Sequence, residues 1–97
     1  MSIKVIGLIK VQDEIAFEEY RGQVSKTIEL YDGKVLTRGV KSETFWNQLN
    51  CEEFSGFVEI EFQTESAAHQ WANSNEYQAL LQVRTKAMKL TLFSVVT

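Results

Sequence analysis

The side chain whose placement asks most of its surroundings is Arg84. Tyr77, Leu80, Leu81, Arg84 and Met88 recur at spacings of three and four residues, which puts them on one helical face. A guanidinium inside an apolar stripe needs a carboxylate, backbone carbonyls or an anionic ligand. If Arg38, Tyr20 and Tyr77 converge on it, an arginine with two phenols suits a carboxylate or a small aromatic acid. The competing arrangement pairs Arg84 with an internal carboxylate such as Glu61, while the two phenols close the core through satisfied hydroxyls. Glu59 and Glu61 lie on one face of a strand, about 7 Å apart by strand rise. They form a pair that can divide acid and base roles or can simply bridge across the sheet to Arg38 or Lys4. His69, the only histidine, falls off the inward direction of Ala68 and Trp71 and is expected at the surface. One histidine and one cysteine, Cys51, without ligand spacing, give no metal site. No glycine-rich phosphate loop and no Ser-His-Asp set can be assembled, so no cofactor is expected.

These side chains must be held by one modest core, because 97 residues make a single domain spanning 1–97. With 44% apolar and 24% charged residues the composition is that of an ordinary globular chain. Its net charge of −3, and the absence of any basic cluster interleaved with aromatics, argue against nucleic acid and anionic membranes. The opening MSIKVIGLIK reads as a strand rather than a signal peptide, and no apolar run is long enough for a membrane span. A lone cysteine excludes an internal disulfide and fits a cytoplasmic location.

The chain reads in order as follows. Residues 3–11 alternate as a strand, with Gly7 marking a bulge or a close approach. Asp13 is placed to cap a helix reaching about Tyr31, with Phe17, Tyr20 or Arg21, Val24, Ile28 and Tyr31 as its buried stripe. Gly22 within it suggests a close contact, and Gly33 is expected to supply the left-handed residue that ends it. A second strand covers 34–40, with Val35 and Thr37 on one face, Leu36, Arg38 and Val40 on the other, and a bulge at Gly39. A long hairpin connection, 42–55, carries Cys51. The third strand runs from Phe57 to Gln63, Thr64 caps a short helix with Ala67, Ala68 and Trp71 inward, Ser74 caps the next helix to about Met88, and 90–96 form the last strand.

The order is β-α-β-β-α-β with the second helical region split in two: an α+β, ferredoxin-like pattern with a four-stranded antiparallel sheet. Right-handed crossovers arrange the strands four, one, three, two, with the helices on one side. The other sheet face, with Ile6, Leu8 and Phe57, then lacks cover, and burying it against a second copy predicts a homodimer built sheet against sheet.

With these elements placed, the chain resembles the small bacterial proteins of domain-of-unknown-function family 1330, within the dimeric α/β-barrel superfamily. The resemblance spans nearly the whole chain. It rests on Phe17-Glu18-Glu19-Tyr20-Arg21, on Gly33 to Gly39, on Val58 to Phe62, on Ala68 with Trp71, and on Ser74 to Leu80 with Arg84. Gln63 and Asn75 stand where the family usually has proline, and the 45–54 region is its own. The resemblance implies a dimeric barrel with a ligand held between sheet and helices, which makes Arg84, Arg38, Tyr20, Tyr77, Trp71 and Glu61 the candidate ligand-binding residues. It implies no general activity. Any catalysis would be cofactor-free, an isomerase- or monooxygenase-like reaction with Arg84 as anchor and a tyrosine or glutamate as acid/base. The alternative is a non-catalytic dimerisation module.

Overall fold

The computed structural model describes residues 2–97. The elements are β1 (Ile3–Val11), α1 (Glu14–Glu29), β2 (Lys34–Val40), β3 (Gly56–Phe62), α2 (Glu65–Ala72), α3 (Asn75–Gln78), α4 (Leu81–Ala87) and β4 (Met88–Val96). All strand pairings are antiparallel, in the order β2-β3-β1-β4, as right-handed crossovers require. Among the described residues no helix is long and apolar enough to cross a membrane.

The core follows from strand alternation. Ile3, Val5 and Ile9 of β1, with Ile60 and Phe62 of β3, turn to the helical side. There they meet Ala16, Tyr20, Val24 and Ile28 of α1 and Trp71, Tyr77 and Leu80 from the second helical region. Asp13 caps α1, its carboxylate accepting the Ala16 N–H at 3.0 Å, and Thr64 and Ser74 cap α2 and α3 in the same manner. The second helical region is in three pieces rather than two: the helix after Ser74 breaks at Ala79–Leu80.

Several local expectations are corrected. Gly33 is not the left-handed residue at the end of α1; Asp32, with φ of 60°, takes that conformation, which a short polar side chain tolerates. Gly33 is required for space, since a Cβ there would lie 2.5 Å from Phe62 and 2.8 Å from Ile28. Gly22 has no close contact, because a Cβ there would meet nothing within 4 Å. Gly7 sits in an unbroken register and lets Val58 approach, so it marks packing and not a bulge. The irregularity of β2 lies between Val35 and Thr37 rather than at Gly39. Since directly paired residues share a face, this extra residue puts Val35, Arg38 and Val40 on the helical side with Ile60 and Val58, and Thr37 with Glu59 on the other.

The outer sheet face has no helix over it. Ile6, Leu8, Phe57, Phe93 and Val95 make an apolar centre on paired positions of β1, β3 and β4. Charged groups rim it: Lys4 and Lys34 flank Glu61 at 3.2 and 3.8 Å, and Lys10 and Lys89 each reach Glu52 at 3.3 Å.

Candidate functional site

Between α1 and the sheet lies a cavity of about 290 Å3. Its walls are apolar: Val24 and Ile28 above, Val35, Val58, Ile60 and Leu92 below, Trp71 at the side. Three polar side chains line it, Tyr20 and Arg21 of α1 and Arg38 of β2, with Ser55 at the start of β3. Arg38 reaches across from the edge strand, donating to the Ser25 hydroxyl of α1 at 2.6 Å. Arg21 lies over the Phe17 ring at 5.6 Å and bonds Glu18 at 3.1 Å. The cavity is therefore greasy, with two guanidinium groups in its wall. Among the described residues it has no carboxylate and no imidazole in its lining.

The six residues singled out in the sequence do not form one site. Tyr20, Trp71 and Arg38 line the cavity; Tyr77, Arg84 and Glu61 do not. Arg84 instead donates to the Tyr77 hydroxyl at 3.0 Å and sits 5.7 Å from the centre of that ring. Tyr77 and Tyr20 share a hydroxyl–hydroxyl bond of 2.9 Å, their rings meeting edge to face. The chain of contacts runs from half-buried Arg84 through Tyr77 to Tyr20 at the cavity wall. Two phenols and one guanidinium N–H make these two bonds, so one phenolic proton is left for a further acceptor. Burial, then the neighbouring Tyr77 and the bond to it, push the Tyr20 phenol far above its ordinary range, against the pull of Arg84. Tyr20 therefore stays protonated and is not a base; either phenol can be the donor in the bond between them.

Trp71 packs against Phe62 and Tyr77 at ring distances of 5.5 and 4.5 Å. Its indole N–H donates to the Thr27 hydroxyl at 3.0 Å, and that hydroxyl donates to the Val24 carbonyl at 2.7 Å. This locks α2 to α1 and fixes the indole at the cavity edge.

The pairing of Arg84 with Glu61 is absent. Glu61 lies on the outer face, where the Lys4 ammonium bonded to it holds its carboxyl below the usual range. Glu59 shares that face, paired across from Thr37 and Ile6, so neither glutamate can serve a reaction in the cavity. His69 is exposed, and no cluster of three or more potential metal ligands exists among the described residues. Arg21, Val40 and Phe57 also line the cavity; from sequence Arg21 was only an alternative to Tyr20 in the α1 stripe, Val40 a strand residue without a site role, and Phe57 a residue of the uncovered sheet face. The signal for Arg21 was the Phe17–Arg21 spacing of one helical turn.

With this geometry in place, comparison with known proteins is informative. A family model described as "Domain of unknown function (DUF1330)" matches residues 4–97. No curated protein sequence matches the chain. Among solved structures, the RPA0582 protein of unknown function from Rhodopseudomonas palustris superposes with a TM-score of 0.80 at 15% identity, over 97% of this chain and 80% of that one. SnoaB, a cofactor-independent oxygenase from Streptomyces nogalater, gives 0.72 at 7% identity, over 99% and 92%. A dimeric ferredoxin-like protein of unknown function from Jannaschia sp. CCS1 gives 0.70 at 10% identity, over the full length of both chains. Identities this low establish the shared fold alone.

Proposed function

Since this chain belongs to the DUF1330 family, whose description carries no activity, we propose from its own geometry that it binds a small organic anion as a homodimer. The ligand is largely apolar with one acidic group, held in the cavity between α1 and the sheet. The observation that carries this reading is a 290 Å3 apolar cavity lined by two arginines and no acid. Its volume is at the small end of ligand pockets, about 300–1,000 Å3, which suits a compact acid and not a nucleotide. In this reading Arg38 and Arg21 take the carboxylate, Tyr20 offers its phenolic proton to a ligand oxygen, and Trp71 supplies a flat apolar wall. Arg84 and Tyr77 act at one remove by orienting Tyr20.

The dimer forms through the outer sheet face, where Phe93 is 44% exposed at the centre of an apolar patch; the dimeric description of the Jannaschia protein on the same fold is consistent with this. We place the protein in the cytoplasm, in keeping with its single exposed thiol, Cys51. Binding is favoured over catalysis because, among the described residues, no carboxylate or imidazole that could act as a general base lines the cavity. A cofactor-free reaction would have to use a base that the substrate carries itself; SnoaB, described as a cofactor-independent oxygenase, shares this fold.

Benzoate and benzamide, titrated while backbone amide resonances are followed, test this reading. Benzoate should shift signals from Ile28, Val35 and Ile60 and benzamide should do so more weakly, with Arg38→Gln erasing the difference. If neither probe moves these signals and native mass spectrometry finds no retained small molecule, the binding reading is wrong.

A further inference from the structure

The segment between β2 and β3 leaves the sheet as a hairpin arm. Its base continues the ladders, with the Lys41 N–H donating to Ser55 and the Ser55 N–H to Ile9. At its tip the Asn47 side chain closes a turn, its amide donating to the Cys51 carbonyl and its oxygen accepting the Cys51 N–H, both at 2.9 Å. On this held frame Phe45, Trp46 and Leu49 are 78%, 83% and 89% exposed. The arm also encloses a hollow of about 470 Å3 that its own side chains do not fill. Ordered backbone carrying large exposed apolar groups around an unfilled hollow is built for contact with another surface.

We infer that the arm clasps a second copy of this chain, completing the sheet-to-sheet dimer; the inference rests on the dimer proposed above. Three observations select this partner. First, the arm is continuous with the outer face, since Glu52, the residue after the Cys51 turn, binds Lys10 and Lys89 at that face's rim. Second, the area falls short without it. Four strands roughly eight residues deep present only about 500 Å2 in plan at ordinary strand spacings, a small footprint beside the about 800 Å2 of accessible surface that each partner buries in a stable interface. The two aromatic side chains bury about 150–250 Å2 each, so with Leu49 they close the gap. Third, the charges match in sign: with Glu52 counted at the rim it already neutralises, the outer face carries Lys4, Lys10, Lys34 and Lys89 against Glu52, Glu59 and Glu61, an excess of one positive charge, and the rest of the arm carries Glu43 and Glu53 against Lys41, an excess of one negative. Among the described residues Glu43 has no ion-pair partner in its own chain, which leaves it for the partner's lysines.

Sedimentation and tryptophan emission across a dilution series test the clasp, using the wild-type chain, the triple variant Phe45→Ser/Trp46→Ser/Leu49→Ser and Trp46→Phe. The three altered positions are surface groups, and an unchanged far-ultraviolet circular dichroism spectrum checks that the variants fold. The wild type should be a dimer whose emission moves to the red on dissociation, a shift that Trp46→Phe abolishes. The triple variant should dissociate at roughly hundredfold higher concentration, as follows when central aromatic anchors are lost. A dimeric wild type that the triple variant matches in affinity overturns the clasp and leaves the dimer standing. A wild type that is monomeric at all concentrations overturns both. If that monomer keeps Trp46 emission in the blue, the arm has closed on its own chain.

Discussion

The Arg84–Tyr77–Tyr20 chain permits a quantitative test of what holds the second helical region against α1. Tyr77→Phe removes a hydroxyl that makes two bonds in a side chain only 2% exposed. The bond to Tyr20 is neutral and worth about 1 kcal/mol net, and the one from Arg84 is charge-assisted, with a range of about 1.5–3. Arg84 is half-buried and recovers water when released, so the lower end applies, and the total cost is about 2–3 kcal/mol. Tyr20→Phe removes the neutral bond alone and leaves Tyr77 bonded to Arg84, so it should cost about 1 kcal/mol. The double variant loses no bond that Tyr77→Phe has not already lost, and it no longer strands a buried phenol. It should therefore cost about 1 kcal/mol less than the sum of the singles. Urea unfolding of the four proteins at one protein concentration measures this, with equal m-values as the control for a common unfolded state. For a chain of this size each kcal/mol corresponds to about 4–8 °C in Tm. Additive single costs, within about 0.5 kcal/mol, would refute the claim that the 2.9 Å contact couples the two elements.

Three further outcomes are expected. Gly33→Ala should destabilise by about 1–3 kcal/mol, since its Cβ would press on Phe62 and Ile28; Gly22→Ala, with open space around it, should stabilise α1 by about 0.5–1 kcal/mol, and thermal melts compare the two. Thr27→Val leaves the buried Trp71 N–H without its acceptor and should cost about 1–3 kcal/mol, read by denaturant midpoint. Tyr20 carries a phenol pKa raised above its unfolded value near 10 by burial. Above pH 10 the unfolded chain loses that proton while the folded chain keeps it, so stability falls as pH rises there. Tyr20→Phe should accordingly lose less stability than wild type between pH 9 and 11.5.

What the sequence determined is the architecture. Alternation in 3–11 and 57–62, side-chain caps at Asp13, Thr64 and Ser74, and the inward stripe of Tyr20, Val24 and Ile28 are local or periodic signals, and chirality converts their order into the β2-β3-β1-β4 sheet with one bare face. The membership of Trp71 and Tyr77 in the core was legible for the same reason. What only the tertiary structure decided is which side chains meet. An extra residue in β2 reverses the face of everything after it, so strict alternation misplaced Thr37 relative to Val35; only the observed register puts Arg38 beside Val58 on the helical side. Glu61 was tied to the strand face opposite Phe62, away from Arg84, but seeing this required knowing which face the helices cover. The roles of the glycines depended on neighbours far along the chain, as with Gly33 under Phe62. Arg84 was marked by its apolar surroundings, yet its partner proved to be a phenol seven residues earlier. A cavity records where side chains from six elements fail to meet, and no local pattern encodes a gap.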